Sequence, residues 1–287
     1  MSIEHLINHE DTIALLYIDE SSGNDARDCL NLPQNDHLIV TQRVLRQDAE
    51  QRRTARGQTP LDDTYSSSFQ NGRYLWLRFS QPPKSRMGIV AGCNPRSDIG
   101  MPQGNSRISW YHFALQFDSK YELMMADLDS TCGTVVRYDN HNPGPRRNGR
   151  WIIGGDAFLS DVSTITVEAH NARFEVIVPQ RDAASRTYQA QVDRFKRSVA
   201  LDPNFADLEL SRSRPDTRRP TGTHTPSTAP IHIKQERGRG SFGVVCKVWD
   251  ATTGQQWAEK SALGNRFSQS TWKKEIDIMR GLRHVSK

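Results

Sequence analysis

Arg73-Tyr-Leu-Trp-Leu-Arg-Phe79 sets Tyr74, Trp76 and Arg78 against Leu75, Leu77 and Phe79, which is the two-residue period of a half-buried strand. The same period returns in Phe113-Ala-Leu-Gln-Phe117 and in Tyr121-Glu-Leu-Met-Met125. Turn signals separate the runs: Gln81-Pro-Pro83, Asn94-Pro95, Pro102-Gln-Gly104, Asp118-Ser119 and Asn142-Pro-Gly-Pro145. The β-branched runs Ser163-Thr-Ile-Thr-Val167 and Arg173-Phe-Glu-Val-Ile-Val178 close the region. Short strands with a turn about every ten residues predict an antiparallel sandwich or barrel over residues 73–179.

Outside that block the texture changes. Residues 1–72 hold one strand-like run, Ile13-Ala-Leu-Leu-Tyr-Ile18, and otherwise read as a loosely ordered extension. Residues 180–230 begin with a helical pattern from Ala183 to Ala200, in which Tyr188, Val192 and Phe195 recur at helical spacing. From Ser211 to Pro230 the chain is rich in Pro, Ser and Thr, a composition that builds no core and reads as a linker. A newly patterned segment, 231–287, follows. The expected class is therefore mainly β: a sandwich followed by a partial α+β unit.

Composition excludes several alternatives. No apolar run nears the ~18–20 residues of a membrane span, and the N-terminus lacks the layout of a signal peptide. The net charge of +5 is concentrated in and after the Pro/Ser/Thr stretch, so a solvated linker is expected there rather than a nucleic-acid surface. Cys29, Cys93, Cys132 and Cys246 are far apart and form no metal-ligand spacing. An intracellular, reducing compartment, nucleus or cytoplasm, is expected, with no membrane partner and no bound metal in the chain itself.

Near the C-terminus, Gly238-Arg-Gly-Ser-Phe-Gly243 reads G-x-G-x-x-G. A dinucleotide fingerprint opens a helix. Here Val244-Val-Cys-Lys-Val-Trp249 is strand-like, Thr252-Thr-Gly254 is a turn, and Gln255 to Leu263 is a second extended run. The glycines are thus expected at the tip of a hairpin. Seventeen residues past Gly243 comes Lys260, on one strand face with Ala258. Fifteen further on, Glu275 flanks the helical stripe of Trp272, Ile276 and Met279 and is expected to pair with Lys260.

These residues resemble the first half of a protein-kinase small lobe. The resemblance implies that Gly238, Gly240, Ser241, Phe242, Gly243 and Val245 cover the phosphates and adenine of ATP. It implies that Ala258 lines the adenine, that Lys260 reaches the phosphates, and that Glu275 anchors Lys260. Arg237 and Glu259 depart from the apolar residues usual in that family. No His-Arg-Asp and no Asp-Phe-Gly occurs in the 287 residues. The chain as written is therefore expected to be a truncated kinase domain with no catalytic residue of its own. ATP with Mg²⁺ is expected only with the complete lobe pair.

The sandwich carries a second resemblance. Ser109-Trp-Tyr-His112 and Asp129-Ser-Thr-Cys-Gly-Thr134 resemble the Ser-x-x-His and Ser-Thr-Asn-Gly-Thr motifs of the forkhead-associated (FHA) domain, a sandwich that binds phosphothreonine at one end. A phosphate dianion is held by an Arg and neutral N–H or O–H donors. The resemblance implies that Ser109 and Thr131 are ligands and that His112 and Gly133 shape the loop. Cys93 stands after Gly92 where the family has Arg, and Cys132 where it has Asn, leaving Arg96 and Arg107 as the candidate cations. In this order the parts resemble an FHA-containing serine/threonine kinase of the checkpoint type, with phosphorylated protein partners and protein substrates. A non-catalytic phosphothreonine-dependent adaptor with a vestigial lobe is the alternative.

Overall fold

A computed structural model describes residues 3–41, 73–103, 107–139, 141, 143–155, 157–199, 230–240, 243–262 and 269–281. The protein is mainly β, with an antiparallel β-sandwich followed by a smaller α+β unit.

The first sheet contains β1 (Thr12–Ile18), β2 (Ile39–Thr41), β3 (Arg73–Arg78), β8 (Thr134–Tyr138), β10 (Ile165–Ala169) and β11 (Ala172–Ile177), in the order β2-β3-β1-β11-β10-β8. The second contains β4 (Ile89–Gly92), β5 (Ile99–Gly100), β6 (Phe113–Phe117), β7 (Leu123–Asp127) and β9 (Arg150–Gly154), in the order β5-β4-β6-β7-β9. All pairings are antiparallel except β4 with β5. The alternating side chains of both sheets meet in one core that includes Leu75, Leu77, Phe113, Trp151 and Phe174.

The sequence places the domain's start at residue 73, and the structure moves it to the first residues. β1 lies between β3 and β11, pairing Leu16 with Leu75 and with Val176. Every residue of β1 is buried. Ile13, Leu16 and Ile18 belong to the main core, whereas Leu15 and Tyr17 pack with Leu6 and Tyr74 on the outer side. Burial on both faces is why the run is apolar throughout rather than alternating. Helices α1 (Ile3–Ile7) and α2 (Asn24–Cys29) complete this N-terminal layer.

After the sandwich, helix α3 (Arg186–Arg197) is shorter than the expected Ala183–Ala200 and packs on the second sheet. Its Phe195 ring lies 5.8 Å from Phe79 and 6.0 Å from Phe117. The Pro/Ser/Thr linker lies outside the described residues apart from its last position, Pro230. A three-stranded meander follows: β12 (His232–Arg239), β13 (Gly243–Asp250) and β14 (Gln256–Ala262), then helix α4 (Gln269–Gly281).

Candidate functional site

Two loops of the sandwich meet at one end, and each is fixed from below by buried polar groups. The loop after β7 hangs on Asp127, whose carboxylate accepts from Ser130 N–H (3.0 Å), Ser130 Oγ (2.6 Å), Thr134 Oγ1 (2.7 Å) and Asn148 N–H (2.8 Å). Gly133 adopts φ +76° within this loop, and an added Cβ would lie 3.1 Å from the Arg146 backbone, so both conformation and space require glycine. The loop before β6 hangs on His112, which is fully buried. Ser109 N–H donates to His112 Nδ1 at 3.1 Å, so that nitrogen carries no proton, and Nε2–H donates to the Gly133 carbonyl at 3.3 Å. One imidazole therefore ties the two loops together.

Ser109 and Thr131 meet above that tie. Thr131 N–H donates to Ser109 Oγ at 2.8 Å, and the two hydroxyls are 3.1 Å apart. Thr131 is exposed and Ser109 half-buried, so this hydroxyl and amide cluster faces solvent. Trp110, beside it, is 60% exposed, while its carbonyl is held by Asn94 N–H at 3.1 Å. At Gly92 an added Cβ would lie 2.1 Å from that same carbonyl. Glycine here permits the end of β4 to approach the loop before β6 closely.

The candidate cations separate. Arg107 is exposed and near enough to Cys132 to favour its thiolate, although burial and Asp127 together hold that thiol's pKa above the usual value. Arg96 is exposed as well, and only its backbone N–H is engaged, donating to Asn94 Oδ1 at 2.8 Å. No contact among the described residues brings Arg96 to Ser109 or Thr131. Cys93 points inward: it is 8% exposed, its thiol donates to the Ile108 carbonyl at 3.5 Å, and burial pushes its pKa up. Cys132 lies between His112 Nε2 at 3.9 Å and the Gly133 carbonyl at 3.6 Å, filling the loop's interior.

The second candidate site is the glycine hairpin. Gly240 N–H donates to the Gly243 carbonyl at 2.9 Å, joining the two strands at the end of the hairpin; Ser241 and Phe242 lie outside the described residues. Nothing lies within 4 Å of a Cβ added at Gly238 or Gly240, so neighbouring packing does not demand glycine at either position. Val245 pairs directly with Lys260, and Lys247 with Ala258, which puts Val245, Ala258 and Lys260 on one face of the meander. Glu275 is carried on α4, but its side chain, and with it the expected pair with Lys260, lies outside the described residues.

Sequence reading missed Asp127 and Asn94, the two residues that brace these loops through backbone amides. Asp127 ends a strand just before the quoted Ser-Thr-Cys-Gly-Thr run, a placement that was the available signal. Among the described residues no cluster suits a metal ion, and no helix is long and apolar enough to cross a membrane.

No protein-family model and no curated protein matches the sequence. Among solved structures the chain is similar to the crystal structure of Rad53 residues 1–466 in complex with AMP-PNP. Identity is 20%, the TM-score is 0.31, and the match covers 80% of this chain and 47% of that one. The chain thus spans about half the length of the protein it matches. The likeness is a distant one in structure.

Proposed function

We propose that the sandwich is a phosphothreonine-binding module of FHA type, carried ahead of a kinase-type glycine-loop lobe in an intracellular signalling protein. The observation that carries this reading is the pairing of Ser109 and Thr131 over His112. Two hydroxyls, held together by the Thr131 N–H bond to Ser109 Oγ and open to water, suit the oxygens of a phosphate. Arg107 supplies the cation that the family takes from the position of Cys93. Arg96 is the other candidate. The partners would be phosphorylated proteins.

Binding of a phosphothreonine peptide, followed by fluorescence anisotropy, tests the module. The phosphorylated peptide is expected to bind and its unphosphorylated twin not to. Ser109→Ala should weaken binding about tenfold or more, because it removes both the hydroxyl and the acceptor that orients Thr131 N–H. Arg107→Ala should cost about as much, and Arg96→Ala far less. Equal binding of the two peptides would overturn the reading.

For the lobe, open space above Gly238 and Gly240, with Val245, Ala258 and Lys260 sharing a face, supports a nucleotide-covering hairpin. ATP with Mg²⁺ is the ligand this reading names, and Glu275 the partner of Lys260. The activity of the whole assembly would be protein serine/threonine phosphorylation. None of the residues here is assigned to the phosphoryl-transfer step itself.

A further inference from the structure

The meander is fixed to the sandwich beside β9, the last strand of its sheet. Ile152 N–H donates to the Ala251 carbonyl at 2.7 Å, and Thr252 Oγ1 donates to the Arg150 carbonyl at 2.9 Å. Ile231, Ile233, Trp249 and Ala251 are buried in the same apolar core as Tyr138 and Trp151. The turn after β13 is closed on itself. The Asp250 carboxylate accepts from Thr252 N–H at 2.9 Å and Thr253 Oγ1 at 3.0 Å, and Asp250 N–H donates to the Gln255 carbonyl at 2.9 Å. This braced turn lies against the start of β9.

Residues 146–150, which lead into β9, carry the other half of the connection. Arg146 and Thr134 exchange both backbone bonds, at 2.9 and 3.0 Å. Arg147 Nη2 and Asn148 Nδ2 donate to the Asp129 carboxylate at 2.7 and 3.2 Å. Asn148 N–H donates to the Asp127 carboxylate at 2.8 Å, and the Gly149 carbonyl accepts from Asp127 N–H at 2.9 Å. Residues 146–149 thus grip the segment 127–134, which presents Thr131, while Arg150 is held by Thr252. Arg146 feels the turn as well: burial lowers its pKa, and the Asp250 carboxylate opposes that fall.

We propose that residues 146–150 are a strut through which the hairpin turn at residues 250–255 positions the Thr131 loop, with Ala251 and Thr252 as its positioning residues. The consequence for phosphothreonine rests on the function proposed above for Ser109 and Thr131. A loop keeps one conformation only where its backbone and side-chain groups are tied down. Here five ties of residues 127–134 end on residues 146–149, whose continuation is held by the meander. Freeing the turn leaves the strut held on one side, and Thr131 loses its fixed place relative to Ser109. A ligand bridging Ser109 and Thr131 in turn steadies the meander, because coupling between two sites is reciprocal.

Hydrogen–deuterium exchange on the full 287-residue chain tests the strut, with phosphothreonine-peptide binding as the second readout. Ala251→Arg puts a long cation at a fully buried position and should expel the turn. Amides of residues 130–134 and 146–150 should then exchange about tenfold faster. Thr252→Val removes one hydroxyl from the same contact and should speed them about threefold, whereas Thr252→Ser keeps that hydroxyl and should exchange as the wild type does. Strands β1 and β11 should stay protected throughout, which separates a loosened loop from an unfolded chain. The peptide should bind about tenfold more weakly to Ala251→Arg, and it should slow exchange of residues 231–251 in the wild type but not in that variant. Unchanged exchange of residues 130–134 and 146–150 in Ala251→Arg and Thr252→Val would overturn the strut. Should Ala251→Arg unfold the whole chain, Thr252→Val compared with Thr252→Ser decides. A loosened loop that binds the peptide as tightly as the wild type would overturn the positioning role. If the wild type binds no phosphothreonine peptide, the phosphothreonine reading falls, and loop exchange alone upholds or overturns the strut.

Discussion

His112 serves both loops only in one protonation state. Its Nδ1 accepts from Ser109 N–H, and a proton there would break the bond that sets the Ser109 loop. Burial lowers its pKa, against the opposing pull of Asp127 and of the Gly133 carbonyl. A lowered imidazole pKa means the unfolded chain takes its proton first, near the ordinary 6.5. Stability from His112 is therefore lost as pH falls through that value, and the loss levels off below the folded pKa. Asp98 works the other way. Burial pushes it up to about 6, although it accepts from Val90 and Lys84 N–H groups. Its contribution is full below 3.8 and is lost as pH rises through about 6. Thermal melting at pH 7 and pH 5 isolates the histidine: the gap between wild type and His112→Gln should narrow on acidification. Phosphopeptide binding by the wild type should weaken over the same interval. His112 was legible as a loop brace through its motif, but Asp98 was not, because nothing in Ser97-Asp-Ile99 announces that its carboxylate turns inward.

At the scale of elements, the N-terminal layer holds the binding end in place. Asn35 is fully buried at the end of a short 3-10 turn, Pro33–Asn35. Its Nδ2 donates to the Cys29 and Gly100 carbonyls at 2.7 and 2.8 Å, and its Oδ1 accepts Gly100 N–H at 2.8 Å. Gly100 ends β5, the strand that follows the Asn94–Asp98 loop. Asn35→Ala leaves two carbonyls and an N–H buried without this partner, so it should destabilise the protein by about 2–4 kcal/mol. Urea unfolding would read that loss, and an effect below about 0.5 kcal/mol would refute it. Strands β3, β6, β7, β10 and β11 were legible in the sequence, the first three through a two-residue period and the last two as β-branched runs, whereas β4, β8 and β9 were not, β4 and β9 being buried almost throughout. The role of residues 12–41 was not, since β1 is buried on both sides and its partners, β3 and β11, are remote in the chain. A period reports on one element; pairing across 160 residues leaves no local trace.

For the molecule as a whole, the strand placement makes a strong claim about where the folding unit begins. Removing residues 1–72 takes β1 from the middle of the six-stranded sheet and β2 from its edge. β3 and β11 would each face an empty slot along a full strand, with unpaired N–H and C=O groups and the core residues Leu75, Leu77 and Phe174 uncovered. Burying an apolar side chain contributes about 1.5–3 kcal/mol, and β1 alone buries five of Ile or Leu type or tyrosine on its two faces. That exceeds the whole net stability of a typical domain, about 5–15 kcal/mol, at its lower end. A fragment of residues 73–199 is therefore expected to lack a cooperative melt and to bind a hydrophobic dye, as a collapsed state without fixed packing does. A fragment of residues 1–199 should melt in one transition. Adding a peptide of residues 3–41 to the shorter fragment should restore near-UV circular dichroism, because the missing strand pairs with its neighbours through contacts that need no covalent link. A cooperative melt by 73–199 alone would refute the central placement of β1 and return the boundary to residue 73.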